Sequence, residues 1–162
     1  MTTIGWHDRA NAVLAVAATH RERILAALAH LDGQIPQTGG GLASASYETV
    51  ASAELLTSRF GKLQDHLSTQ VVPLALQLTG EPMPQTCTFV DRLLRLEQLG
   101  AISSVAEFRR LREIRNDLAH DYPDDPDEAV AGLHQVVAAV PALLGLEQRL
   151  RAHMVATLAK LG

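Results

Sequence analysis

A chain of 162 residues, 47% apolar and 20% charged, can bury a core of its own and is not a disordered polyelectrolyte. Aromatics are only 4% of the residues while Ala and Leu abound, which favours helix over sheet. A net charge of −4 argues against a general nucleic-acid coat protein but leaves room for a local cationic site.

In chain order, the first predicted element runs from about His7 to Leu31, with Val13, Val16, Ile24, Leu28 and Leu31 at helical spacing. Gly33 to Ser46 follows, with Pro36 and the triplet Gly39, Gly40 and Gly41, and reads as a flexible loop. It lacks the Lys-Ser/Thr and the strand of a phosphate cradle. From Tyr47 to Thr79 the residues Leu56, Phe60, Leu63, Leu67, Val71, Leu74 and Leu78 form a sustained apolar seam, the pattern of a long bundle helix. Pro73 lies inside it and is expected to kink it or end it one turn early. A shorter helix is expected from Thr86 or Thr88 to Leu99, with Phe89, Leu93 and Leu96 inward and Gly100 as its terminal glycine. The next starts after Ser103 or Ser104, carries Val105, Phe108, Leu111, Ile114 and Leu118 inward, and frays near His120 because Pro123 disfavours helix at Tyr122. Asp125-Pro126-Asp127-Glu128 then opens the last helix, which continues through Leu133, Val140, Leu150 and Leu158 and is expected to bend at Pro141 and Gly145. The expected fold is all-α: one domain over residues 1–162, an up-and-down helical bundle of four long helices with one split into shorter pieces.

Cys87 is the single cysteine, so no intrachain disulfide can form; it is expected to be a small buried hydrophobe. The N-terminus has no basic stretch followed by an apolar one, and the most apolar run, Val136 to Leu146, is too short to span a bilayer. No membrane association and a cytoplasmic location are therefore expected. The seven histidines show no metal-ligand spacing, so neither metal nor cofactor is expected. Asp65-His66 reads as a surface pair, and Glu97 and Asp91 as surface partners of Arg95 and Arg92.

The chemically informative stretch is Phe108 to Tyr122, FRRLREIRNDLAHDY. Arg109, Arg112 and Arg115 are three apart and form a slanted stripe along one side of a helix. Arginine's planar fork of donors suits phosphate. The interleaved Glu107, Glu113 and Asp117 leave a second reading, in which these charges pair among themselves on a solvated face. Arg115 and His120 are five apart, hence about 140° apart on an ideal helix, and converge only if the helix ends between them or if they face a partner chain's copies. Taken alone, His120 reads as a structural residue, a favourable charge at a helix C-terminus, ahead of a catalytic one.

Arg115, His120 and Tyr122 match an R-x4-H-x-Y pattern. With RNDLAHDY on the fourth helical segment before a long last helix, and with RFGKLQD (Arg59 to Asp65) and FVDRLLRLEQLG (Phe89 to Gly100) before it, the chain resembles the HEPN superfamily over roughly Glu54 to Leu143. More narrowly it resembles the HepT toxins that pair with a minimal nucleotidyltransferase antitoxin. The resemblance implies a homodimeric, metal-independent endoribonuclease whose two motifs meet in a cleft between protomers. His120 would act as general base or acid at the RNA 2′-hydroxyl and the leaving oxygen, a role suited to its near-neutral pKa. Arg115 would stabilise phosphate charge, with Asn116, Arg112 and Arg109 positioning or binding RNA. Need of the 2′-hydroxyl would confine activity to RNA and leave cyclic-phosphate ends. Tyr122 would be the residue to which the nucleotidyltransferase attaches AMP, blocking RNA entry with bulk and negative charge; otherwise it is a helix-end aromatic with its hydroxyl in water. The alternative is a non-catalytic substrate-binding or adaptor subunit of a nucleotidyltransferase complex, and a third reading is a scaffold dimer with no nucleic-acid role. Asp121 to Glu128 carries five acids, which would repel RNA if they lined the cleft. They either point away or meet a basic partner.

Overall fold

The computed structural model describes residues 3–81, 83, 84, 86–118 and 125–161, and among these there is no strand. The elements are α1 (Thr3–Leu31), α2 (Gly39–Ala43), α3 (Tyr47–His66), a π-helical turn (Leu67–Val71), α4 (Val72–Leu78), α5 (Phe89–Gln98), α6 (Val105–Leu118) and α7 (Pro126–Leu161). The fold is an all-α helical bundle.

The apolar seam expected across α3 and α4 is buried throughout, from Leu56 to Leu78. Pro73 neither kinks it out of the bundle nor ends it. The chain passes through the π turn immediately before Pro73, with the Val72 N–H donating to Leu67 O. One extra residue per turn re-phases the helix, so that adjacent Val71 and Val72 both face the core.

On α1 the inward face is offset from the expected one. Ala10, Leu14, Ala17, Ile24, Ala27 and Leu31 are buried, whereas Val16 is 45% exposed. Small alanines let α3 and α7 approach closely, and the larger Val13 and Leu28 pack at the margins of the contact.

Each end of the short helices has an identifiable cause. Thr88 and Asp91 form a reciprocal capping box at the start of α5, so Asp91 caps rather than pairing with Arg92. Gly100, at φ +73°, closes α5 in the left-handed region that favours glycine. The Ser104 hydroxyl accepts from the Glu107 N–H at 3.3 Å, and Glu97 accepts from the Val105 N–H at 3.0 Å. Glu97 therefore ties α5 to α6 instead of pairing with Arg95, whose partner is Glu81. At α7, Asp125 accepts from the N–H groups of Asp127 and Glu128.

The segment expected to be a flexible loop contains α2 and is held in place. Thr38 caps α2 through the Gly41 N–H. The Gly39 N–H donates to Asp127 Oδ1 at 2.6 Å, and His134 Nε2 donates to Pro36 O at 2.9 Å. A Cβ at Gly39 would lie 2.7 Å from Asp127 Oδ1 and 2.8 Å from the Asp127 nitrogen, so only glycine permits this approach. The glycines serve docking onto α7, which their composition alone reads as looseness.

α7 is helical without interruption through Pro141 and Gly145. By length and composition it could cross a membrane, with a window of mean hydropathy 1.8. The unbroken apolar run from Val136 to Leu146 is shorter than that window, whose average tolerates single polar residues. Its apolar stripe, from Val130 through Leu143 to Leu158, is packed into the bundle core. Within that stripe Glu147 is only 1% exposed, gripped by Arg21 of α1 at 3.0 Å and by Arg151 one turn on at 2.7 Å. Arg151 also donates to Leu14 O at 2.9 Å, which fastens α7 to α1 a second time.

Candidate functional site

The last turn of α6 is the best-defined part of the site. Phe108, Leu111 and Ile114 anchor the helix in the core and turn its charged residues to the flanks. Arg115 leans toward α3 and packs its stem beside Gly61, where a Cβ would make an ordinary contact with Arg115 Cγ at 3.8 Å. One guanidinium nitrogen pairs with Asp65 Oδ1 at 2.9 Å and the other donates to Asn116 Oδ1 at 3.1 Å. The Arg115 and Asp65 side chains remain 37% and 52% exposed, so the bridge can exchange with a ligand.

The expected stripe of arginines is split among neighbours. Arg112 stacks over the Phe89 ring of α5 at 5.1 Å, and Phe89 meets Phe108 edge-on at 5.7 Å. Arg109 is exposed, with no side-chain partner among the described residues. Arg110 turns toward α7, where with Glu113, Asp117, Gln135 and others it lines a hollow of about 310 Å³. A drift of about 60° for each three-residue step parts side chains that sequence spacing groups together.

His120 and Tyr122 lie outside the described residues, as do Ala119 and Asp121. A groove of about 740 Å³ opens where the end of α6 meets the start of α7 and the side of α3. Leu118, Ala131, Gly132 and Leu133 contribute its apolar lining; Asp117, Glu128, Thr57 and Ser58 contribute its polar lining. Its size is that of a small-ligand site, but its two carboxylates disfavour phosphate. Asp117 is two residues from Arg115, hence about 200° around the helix, so the acidic groove and the guanidinium occupy opposite flanks of α6.

No protein-family model, curated protein or solved structure matches the chain.

Among the described residues no three His, Cys, Asp or Glu side chains converge as a metal site would require. Cys87 is half-buried, and its thiol lies 3.7 Å from Thr88 O. The Asp65-His66 pair divides: Asp65 goes to Arg115, while His66 Nε2 donates to Val13 O at 2.9 Å.

A second polar cluster was not legible in the sequence. Arg59 Nη1 lies 3.3 Å from His20 Nδ1, across 39 residues of chain. Arginine can only donate, so Nδ1 accepts and the His20 ring is neutral. The His20 and His66 ring centroids are 6.3 Å apart. Burial, with Arg59, His66 and Lys62 adding positive potential, holds the His20 pKa below its ordinary 6.5.

Proposed function

We propose that the chain is a HEPN-type, metal-independent endoribonuclease toxin, active as a cytoplasmic homodimer and silenced by a minimal nucleotidyltransferase antitoxin. The observation that carries this reading is Arg115, held by Asp65 and Asn116 at the last turn of α6 and followed five residues later by His120. A pre-oriented but partly exposed guanidinium can exchange its single-oxygen contact with Asp65 for an RNA phosphate, to which its planar fork can bond through two oxygens. In the proposed reaction the RNA 2′-oxygen attacks the adjacent phosphorus and the 5′-oxygen leaves. The products are a 2′,3′-cyclic phosphate and a 5′-hydroxyl. His120 takes the proton from the 2′-hydroxyl or supplies one to the leaving oxygen, and Arg115 stabilises the charge on the phosphorane oxygens. Arg112 and Arg109 bind flanking phosphate. Tyr122 accepts AMP from a nucleoside triphosphate with release of pyrophosphate, and the added charge closes the site.

The test is incubation of the purified protein with transfer RNA and other small RNAs in EDTA, beside His120→Ala and Arg115→Ala. Cleavage by the parent alone, leaving cyclic-phosphate ends, supports the reading. No cleavage by a folded dimer whose Tyr122 is unmodified by mass spectrometry overturns it.

The acidic groove favours a second reading, a non-catalytic adaptor on a nucleotidyltransferase. Asp117 and Glu128 bracket an apolar floor and would receive a basic apolar segment of such a partner. In that case the complex forms with full affinity when His120 is replaced, and RNA remains intact.

A further inference from the structure

The seam between α1 and α3 carries a row of positive and imidazole groups without an acid among them. The contacts of His20 with Arg59 and of Val13 with His66 set the two helices antiparallel. On α1, helical steps of three and four from Val13 and His20 reach Arg9, Val16 and Arg23 on the outer side, and buried Ala10, Ala17 and Ile24 on the core side. On α3, the same steps from Arg59 and His66 reach Leu55 and Lys62 on the outer side, and buried Leu56 and Leu63 on the core side. None of the nine outer positions, the four starting residues included, is Asp or Glu. None of the ion pairs among the described residues involves Arg9, Arg23, Arg59 or Lys62. Arg9 donates to the neutral Gln77 amide at 3.1 Å, so its charge also stays uncompensated.

From Arg9 to Arg23 the row covers about 21 Å at 1.5 Å per residue. Two exposed acids of α3 flank this row in sequence, Glu54 beside Leu55 and Asp65 beside His66; Asp65 is engaged by Arg115, and Glu54 forms no ion pair with the row. Asp65 and Lys62 are one helical step apart, so the row leads around the exposed side of α3 to Arg115.

We infer that the α1–α3 seam is a track for the phosphate backbone of single-stranded RNA, leading to Arg115. This rests on the ribonuclease reading for the identity of the nucleic acid, and on the seam geometry for the track itself. A run of uncompensated cations on an otherwise acidic chain has a strong local attraction for a polyanion. Half-buried His20 and Arg59 form its floor, and exposed Lys62 and Arg23 its rim. His20, with Nδ1 accepting from Arg59, presents Nε2–H as a neutral donor to phosphate oxygen.

The experiment is fluorescence anisotropy of a labelled twelve-nucleotide oligouridylate on the full chain with His120→Ala, at several salt concentrations. Arg23→Gln, Arg59→Gln and Lys62→Gln together should weaken binding roughly tenfold or more and lower the log–log salt slope by about 2. Arg23→Gln with Lys62→Gln spares the Arg59–His20 contact and should lower the slope by about 1.4, which guards against a folding defect. Arg149→Gln with Lys160→Gln, elsewhere on α7, should have the smaller effect. Equal losses in all variants, or no loss in the seam variants, overturn the track. So does seam-dependent binding of phosphatidylglycerol vesicles with RNA binding unchanged. Seam-dependent RNA binding by a parent protein that cleaves nothing with Tyr122 unmodified by mass spectrometry supports the track and removes the ribonuclease reading; cleavage with seam-independent binding does the reverse.

Discussion

Glu147 is a carboxylate inside the core, and its two arginines explain how it is tolerated. Removing the carboxylate in Glu147→Ala leaves a cavity and two unmatched cations, although both arginines retain some access to water. The expected loss is about 2–4 kcal/mol, read as a lower urea midpoint with an unchanged slope. His20 and His153 give the pH dependence. Burial is the leading cause of a lowered pKa for both, and His153 Nε2 has no hydrogen-bond partner among the described residues. Below 6.5 the unfolded chain therefore binds more protons than the folded one, and stability falls as pH drops from 6.5 through the lower folded values. Urea midpoints measured from pH 7.5 to 5 should decline, and His20→Gln with His153→Gln should flatten that decline. At Arg115 the relevant change is Asp65→Asn, which frees the guanidinium. On the ribonuclease reading it should tighten RNA binding several-fold, seen as a lower KM, because the phosphate no longer competes with a carboxylate.

At the level of elements, α2 shows how a glycine triplet becomes order. Composition alone predicts a flexible link, because Gly39, Gly40 and Gly41 are poor helix formers. The Thr38 cap and the Asp127 carboxylate supply partners from outside the triplet, and the absence of a Cβ at Gly39 allows the approach. Gly39→Ala should therefore destabilise the bundle by about 1–3 kcal/mol, as overpacking does, and speed hydrogen exchange at the first amides of α7. Gly40→Ala meets only Thr38 Oγ1, at 3.9 Å, and should be near neutral. The π turn before Pro73 follows similar logic. Proline denies the helix one N–H, and an added residue in the preceding turn keeps the buried faces of α3 and α4 in phase.

Across the whole molecule the charge is unevenly placed. Acids gather where α6 meets α7, at Asp117, Asp125, Asp127 and Glu128, while unpaired cations lie along α1 and α3. A net charge of −4 conceals both regions. For the proposed enzyme this arrangement means that raising salt from 50 to 200 mM weakens RNA binding while EDTA leaves turnover unchanged. Light scattering should give twice 17.5 kDa for the homodimer.

The helical class, the seam of α3 and α4, and the starts of α5, α6 and α7 were legible in the sequence. Periodicity and capping are local properties, set by residues within about one turn of each other. Arg115 and Asn116 were likewise visible as part of a contiguous motif. What only the tertiary structure decided depends on groups far apart in the chain. Arg115 meets Asp65, Arg59 meets His20 and Glu147 meets Arg21 across 50, 39 and 126 residues, and no spacing rule links such positions. On α1, Ile24 and Leu31 lie inward as expected, but Val16 does not and Ala10, Ala17 and Ala27 do, because alanine is a weak signal of hydrophobicity yet small enough to permit close helix packing. Docking, rather than local propensity, ordered the glycine segment, because its stabilising partner lies at the start of α7.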